Sequence, residues 1–142
     1  MRHPLHPALV HFPIACWSLA TAADLASLAW GEPAWRFAGV MLLAGIGFSI
    51  PAMLAGFVEL AKVTEDNPAI KDVNRHMILV MNALAFYTAS LFLRLQGTRL
   101  AEPGALAIGL SVVGFLSLCV AGWLGGKLVY THRLGVKPLP PA

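Results

Sequence analysis

Residues 105–130 read ALAIGLSVVGFLSLCVAGWLGGKLVY, and from Ala105 to Gly126 no side chain is charged. A helix advances about 1.5 Å per residue, so it crosses the hydrocarbon core of a bilayer in about 20 apolar residues. Ala105–Tyr130 clears that length. Because a bilayer offers no water to an open backbone, a helix is the form such a stretch takes. Three further stretches read the same way, roughly Ala8–Trp30, Phe37–Leu60 and Met77–Leu95. The expected fold is an all-α integral membrane protein, a four-transmembrane-helix bundle that occupies residues 1–142 as a single domain.

The composition agrees with its parts. The chain is 58% hydrophobic and 12% charged, where soluble domains carry about a quarter charged residues. Its mean hydropathy of +0.71 is spread along the length. Secreted disulfide scaffolds, disordered tails and soluble α/β enzymes are excluded. Ten Lys and Arg against seven Asp and Glu are too few and too scattered for a nucleic-acid footprint, and the excess suits membrane lipids with anionic head groups. No Gly-rich phosphate loop, nucleophile elbow or triad spacing is present, so a hydrolase has no support.

Gly31-Glu32-Pro33, Asp66-Asn67-Pro68 and Gly97–Gly104 punctuate the spans, and only the loop Thr64–Arg75 has room for polar structure. Residues 131–142 read as a polar, Pro-rich tail through Lys137, Pro138, Pro140 and Pro141. The first apolar run is too long for a signal peptide and reads as a retained span. With four spans, both termini and the second loop share a side, which carries Arg2, Lys62, Lys71, Arg75, Lys127, Arg133 and Lys137. The other side has Arg36, Arg94 and Arg99. The positive-inside rule then puts the termini in the cytoplasm.

All five histidines, His3, His6, His11, His76 and His132, fall on the side of the termini. His11 lies about a turn inside the first span, His76 opens the third and His132 closes the fourth. Two neutral imidazoles from separate helices are what axial ligation of a haem iron requires. Interfacial histidines that are merely hydrogen-bonded would look the same on position alone. Cys16 and Cys119 stand singly without a CxxCH motif, which excludes covalent c-type haem.

Glycines in the second span and in Gly122-Trp123-Leu124-Gly125-Gly126 serve close helix packing, and would equally leave a flat trough for a porphyrin. Arg75 and Lys127 stand beside the histidines, where they could pair with haem propionates, or simply follow the positive-inside bias. Proline after His3 and His6 points to a non-helical lead-in, and Pro51 should kink the second span, freeing a carbonyl near Ile46 or Gly47 that Ser49 or a neighbouring helix must satisfy. Among the acidic residues, Glu59 lies on the histidine side and could complete a non-haem iron, copper or zinc site. Asp24, toward the other face, reads first as a hydrogen-bonded polar residue within the bundle and second as a proton carrier.

The opening His3-Pro4-Leu5-His6-Pro7-Ala8-Leu9-Val10-His11-Phe12-Pro13-Ile14-Ala15 and the closing Gly122-Trp123-Leu124-Gly125-Gly126-Lys127-Leu128-Val129-Tyr130 with His132 resemble the bacterial membrane family called domain of unknown function 2231. The resemblance covers essentially the whole chain. It implies a four-helix domain of the bacterial inner membrane whose relatives include chains joined to cytochrome c or Rieske modules, and hence electron transfer. It marks His6, His11, His76 and His132 as the family's histidines. A cytochrome c fused at the C-terminus would be periplasmic, which conflicts with the charge count.

The expectation drawn from residues and resemblance together is a b-type cytochrome. It would bind one or two haems b through His6, His11, His76 and His132, and exchange electrons with a redox partner protein or a quinone. His11 with His76 is expected as the inner pair, and His6 with His132 as the outer one. Electron carriage is expected ahead of catalysis. The alternatives are a non-haem metal site using the same histidines with Glu59, and a cofactor-free assembly subunit. Self-association as a homo-oligomer is open.

Overall fold

The structure, a computed structural model, describes residues 5–136. His3 and the prolines of the tail, with Lys137, lie outside the described residues. Helix α1 (Leu5–Leu9) leads almost directly into α2 (His11–Trp30), and together they form the first span of 26 residues. The break falls at Val10 because Pro13 brings no amide to the carbonyl of Leu9, while Val10 and Ile14 still donate to His6 and Val10. His6 therefore sits in a helical turn, not in the extended lead-in expected from its prolines.

Gly31, at φ +66°, turns the chain back in one residue, and Pro33 follows in the first turn of α3 (Glu32–Leu60). Helix α3 continues through Pro51, with the Ser49 hydroxyl donating to the Ile46 carbonyl at 2.7 Å. Helix α4 (Ile70–Leu93) begins earlier than its apolar segment. Asn67 accepts from the Ala69 amide at 2.9 Å, and Asp72 sits in the first turn, where a carboxylate is favoured. The second half of the expected Thr64–Arg75 loop is thus helical. A two-residue turn at Gly97-Thr98 joins β1 (Leu95–Gln96) to β2 (Arg99–Leu100), and α5 (Ala105–Tyr130) closes the chain. The four long helices are each long and apolar enough to cross a membrane.

Helix α2 packs along α3 and α4 along α5, and contacts of α2 with α5 and α3 with α4 close the ring. Trp17, Leu42, Ala83, Tyr87, Leu91 and Leu118 form the centre. Glycines admit the large side chains: a Cβ on Gly45 would fall into the Trp17 indole, and one on Gly114 would come within 3.2 Å of the Tyr87 ring. Leu28, Leu43, Phe92 and Leu106 are among the large apolar side chains left exposed on the outside, as helices facing hydrocarbon require.

Candidate functional site

At the end of the bundle that holds the histidines, His6 of α1 lies against α3. Its Nδ1 is 2.8 Å from the Ala52 carbonyl, its backbone amide donates to Glu59 Oε1 at 3.3 Å, and its ring lies on Gly56. His76 of α4 repeats this arrangement against α5. Its Nδ1 is 2.8 Å from the Ala121 carbonyl and its ring lies on Gly125. A carbonyl only accepts, so Nδ1 carries the proton in both rings, and in the neutral imidazole Nε2 keeps its lone pair.

The glycines are necessary to this placement. A Cβ on Gly56 would stand 2.9 Å from His6 Nδ1, and one on Gly125 would stand 3.2 Å from His76 Cε1. Side chains there would push the rings off the carbonyls that orient them. An Nδ1–H donated to a backbone carbonyl fixes the tautomer and raises the basicity of Nε2, which prepares it as a metal ligand.

The other candidate histidines are engaged differently. His11, the first residue of α2, is exposed, and its Nδ1 reaches the Ala8 carbonyl of the preceding turn at 3.4 Å. His132 places Nε2 3.0 Å from Asp72 Oδ2, which also takes Lys127 Nζ at 2.7 Å, while Arg75 lies 3.8 Å from the other carboxylate oxygen. His132 is thus engaged by Asp72. Arg75 and Lys127 lie on the outward side of α4 and α5, around the exposed Trp123. Glu59 holds the backbone of His6. Among the described residues, no three His, Cys, Asp or Glu side chains come together as metal ligands.

At the other end of the bundle, Arg94 and Asp24 form a two-pronged ion pair at 2.7 and 2.9 Å with both side chains fully buried. Arg94 also donates to Ser90, whose hydroxyl meets Ser111 and the Ala107 carbonyl. Deeper in the bundle, Thr21 bonds the Tyr87 hydroxyl and the Ser111 carbonyl. Asp24 is the hydrogen-bonded interior residue that its position suggests, but its partner Arg94 went unread. The signal was an arginine within the third span, at the depth of the aspartate in the first.

A family model described as a predicted membrane protein, domain of unknown function 2231, matches residues 2–138. No curated protein and no solved structure matches the chain.

Proposed function

The chain belongs to the domain of unknown function 2231 family of predicted membrane proteins, and we propose that it is a b-type cytochrome holding one haem between His6 and His76. The observation that carries this reading is the matched pair of anchors: two Nδ1–H groups on backbone carbonyls of different helices, each ring seated on a glycine. Such a pair suits haem in particular, because the macrocycle supplies four of the six iron ligands and asks the protein for two. A non-haem site asks for three or more, and Glu59, the expected third donor, is turned to the His6 backbone.

When bound, haem supplies one-electron chemistry. The chain's own residues orient the ligating nitrogens through Ala52 and Ala121, keep the rings in place through Gly56 and Gly125, and surround the site with hydrocarbon-facing helices that keep water out. A redox partner protein or a quinone would exchange electrons at the histidine end. The excess of basic residues there favours that end on the cytoplasmic side of a bacterial inner membrane.

The test is an absorption spectrum of the detergent-purified protein, oxidised and then dithionite-reduced, with a pyridine haemochrome count. One haem per chain and a sharp reduced α band support the reading. Protein made with ample haem that shows no visible absorption overturns it. Stoichiometric iron, copper or zinc without porphyrin would then select the non-haem site, and metal-free protein travelling with a larger complex the assembly role.

A further inference from the structure

Arg75 and Lys127 have no part in the histidine pair, yet both reach the same carboxylate, Asp72, where α4 meets α5. Two shallow clefts open there, stacked along α5, the first inward of Trp123 and the second between Trp123 and the end of the helix. The first, about 330 Å³, runs from Arg75 along Ile78 and Val120, and the second, about 460 Å³, runs beside Lys127 between Trp123 and Tyr130 over Gly126. A Cβ on Gly126 would meet no neighbour, so the floor of the second cleft is open.

The charge on this rim is unbalanced. Asp72, whose side chain is 11% exposed, is the carboxylate that Arg75, Lys127 and His132 share. Two permanent cations and an imidazole thus face one anion. The Arg75 side chain is 69% exposed, so its guanidinium has donors to spare for a further negative group.

We infer that this face binds one anionic phospholipid, its phosphodiester between Arg75 and Lys127 and an acyl chain in the first cleft, on the hydrocarbon side of Trp123. The occupant follows from the charge and the cleft beneath it. An apolar trough open sideways to hydrocarbon, flanked by Trp123 and capped at its outer end by two cations that share one carboxylate, matches an amphiphile with a negative head. A zwitterionic lipid fills the trough equally well but brings its own cation to the rim.

The test reconstitutes the full chain in vesicles of phosphatidylcholine with a fixed fraction of either brominated phosphatidylglycerol or brominated phosphatidylcholine, and reads tryptophan quenching. The difference between the chain and its Trp123→Phe variant isolates Trp123 from the other tryptophans. Quenching of Trp123 should show about a fivefold preference for the anionic lipid, the scale of one basic residue at a membrane surface. Arg75→Gln/Lys127→Gln should abolish the preference, and the charge-conserving Arg75→Lys/Lys127→Arg should keep it. Should the double variant not reconstitute, Arg75→Gln alone must lower the preference. Equal quenching by both lipids, or a preference that survives neutralisation, overturns the inference. So does weak quenching by both lipids from a chain that runs as a dimer, since a second copy would then cover the face.

Discussion

His6 and His76 make the same bond from different helices, each Nδ1–H donating to an alanine carbonyl at 2.8 Å, Ala52 on α3 and Ala121 on α5. Two imidazoles oriented alike would serve the proposed haem as its two axial ligands, so removing either should cost the whole site. His6→Ala and His76→Ala are each expected to purify without a Soret band. His11→Ala and His132→Ala should keep haem near the level of the unaltered chain. The haem-to-protein ratio of the four variants measures this, and loss in His11→Ala with retention in His6→Ala would return His11 to the site.

The glycines beneath the rings give a second check that leaves the ligands intact. Gly56→Ala puts a methyl group 2.9 Å from His6 Nδ1, so the ring must leave the Ala52 carbonyl or the helix must shift. Loss of such an orienting bond typically weakens metal binding about tenfold or more. Gly122→Ala, on α5 with nothing within 4 Å of the new methyl, is the matched control and should retain haem fully. Haem transfer to an apo-globin acceptor, followed by absorbance, compares the two.

The four spans were legible because each carries its own signal, about 20 apolar residues between punctuation. Where the helices extend past the hydrocarbon, that signal stops before the helix does. Helix α4 begins at Ile70, yet its first two turns hold Lys71, Asp72, Asn74 and Arg75, which hydropathy reads as loop. The histidine end was legible as a cluster, but the pairing within it was not. His6 is seated by a backbone carbonyl on α3 and a missing Cβ at Gly56, and alanine carbonyls leave no mark in a sequence. Arg94 was visible as a charge but was counted toward orientation, because nothing in one sequence says that α2 brings Asp24 to it.

Gly45 and Gly47 sit two residues apart on α3 and face different surroundings. A Cβ on Gly45 would overlap the indole of Trp17, which is 2% exposed and stacked on Tyr87 with ring centroids 4.9 Å apart. A Cβ on Gly47 meets nothing within 4 Å. Overpacking of a closed core costs about 1–3 kcal/mol, so Gly45→Ala should lower the thermal unfolding midpoint in detergent. Gly47→Ala should leave it unchanged or raise it, since alanine is the better helix former. Equal effects at the two positions would show that Trp17 does not rest on α3 as described.

The ion pair of Asp24 and Arg94 is the most exacting contact in the bundle, since both side chains are wholly buried and every Asp24 oxygen is matched by an Arg94 nitrogen. Removing one partner leaves the other charge without compensation, at a cost of about 3–5 kcal/mol, whereas replacing both by apolar residues of similar size is often neutral or better. Asp24→Leu and Arg94→Met should therefore each lower stability sharply, and the double variant should recover most of the loss. Ser90 keeps the Ala107 carbonyl as a partner in all three, so the loss of Arg94 does not leave its hydroxyl unpaired. Unfolding of the three variants in mixed micelles, read by far-UV circular dichroism, gives the coupling energy. Because the pair lies at the far end from His6 and His76, a recovered double variant should also bind haem like the unaltered chain. A double variant as unstable as the singles would mean that the pair contributes net stability here, and that its geometry is worth more than the desolvation of two charges.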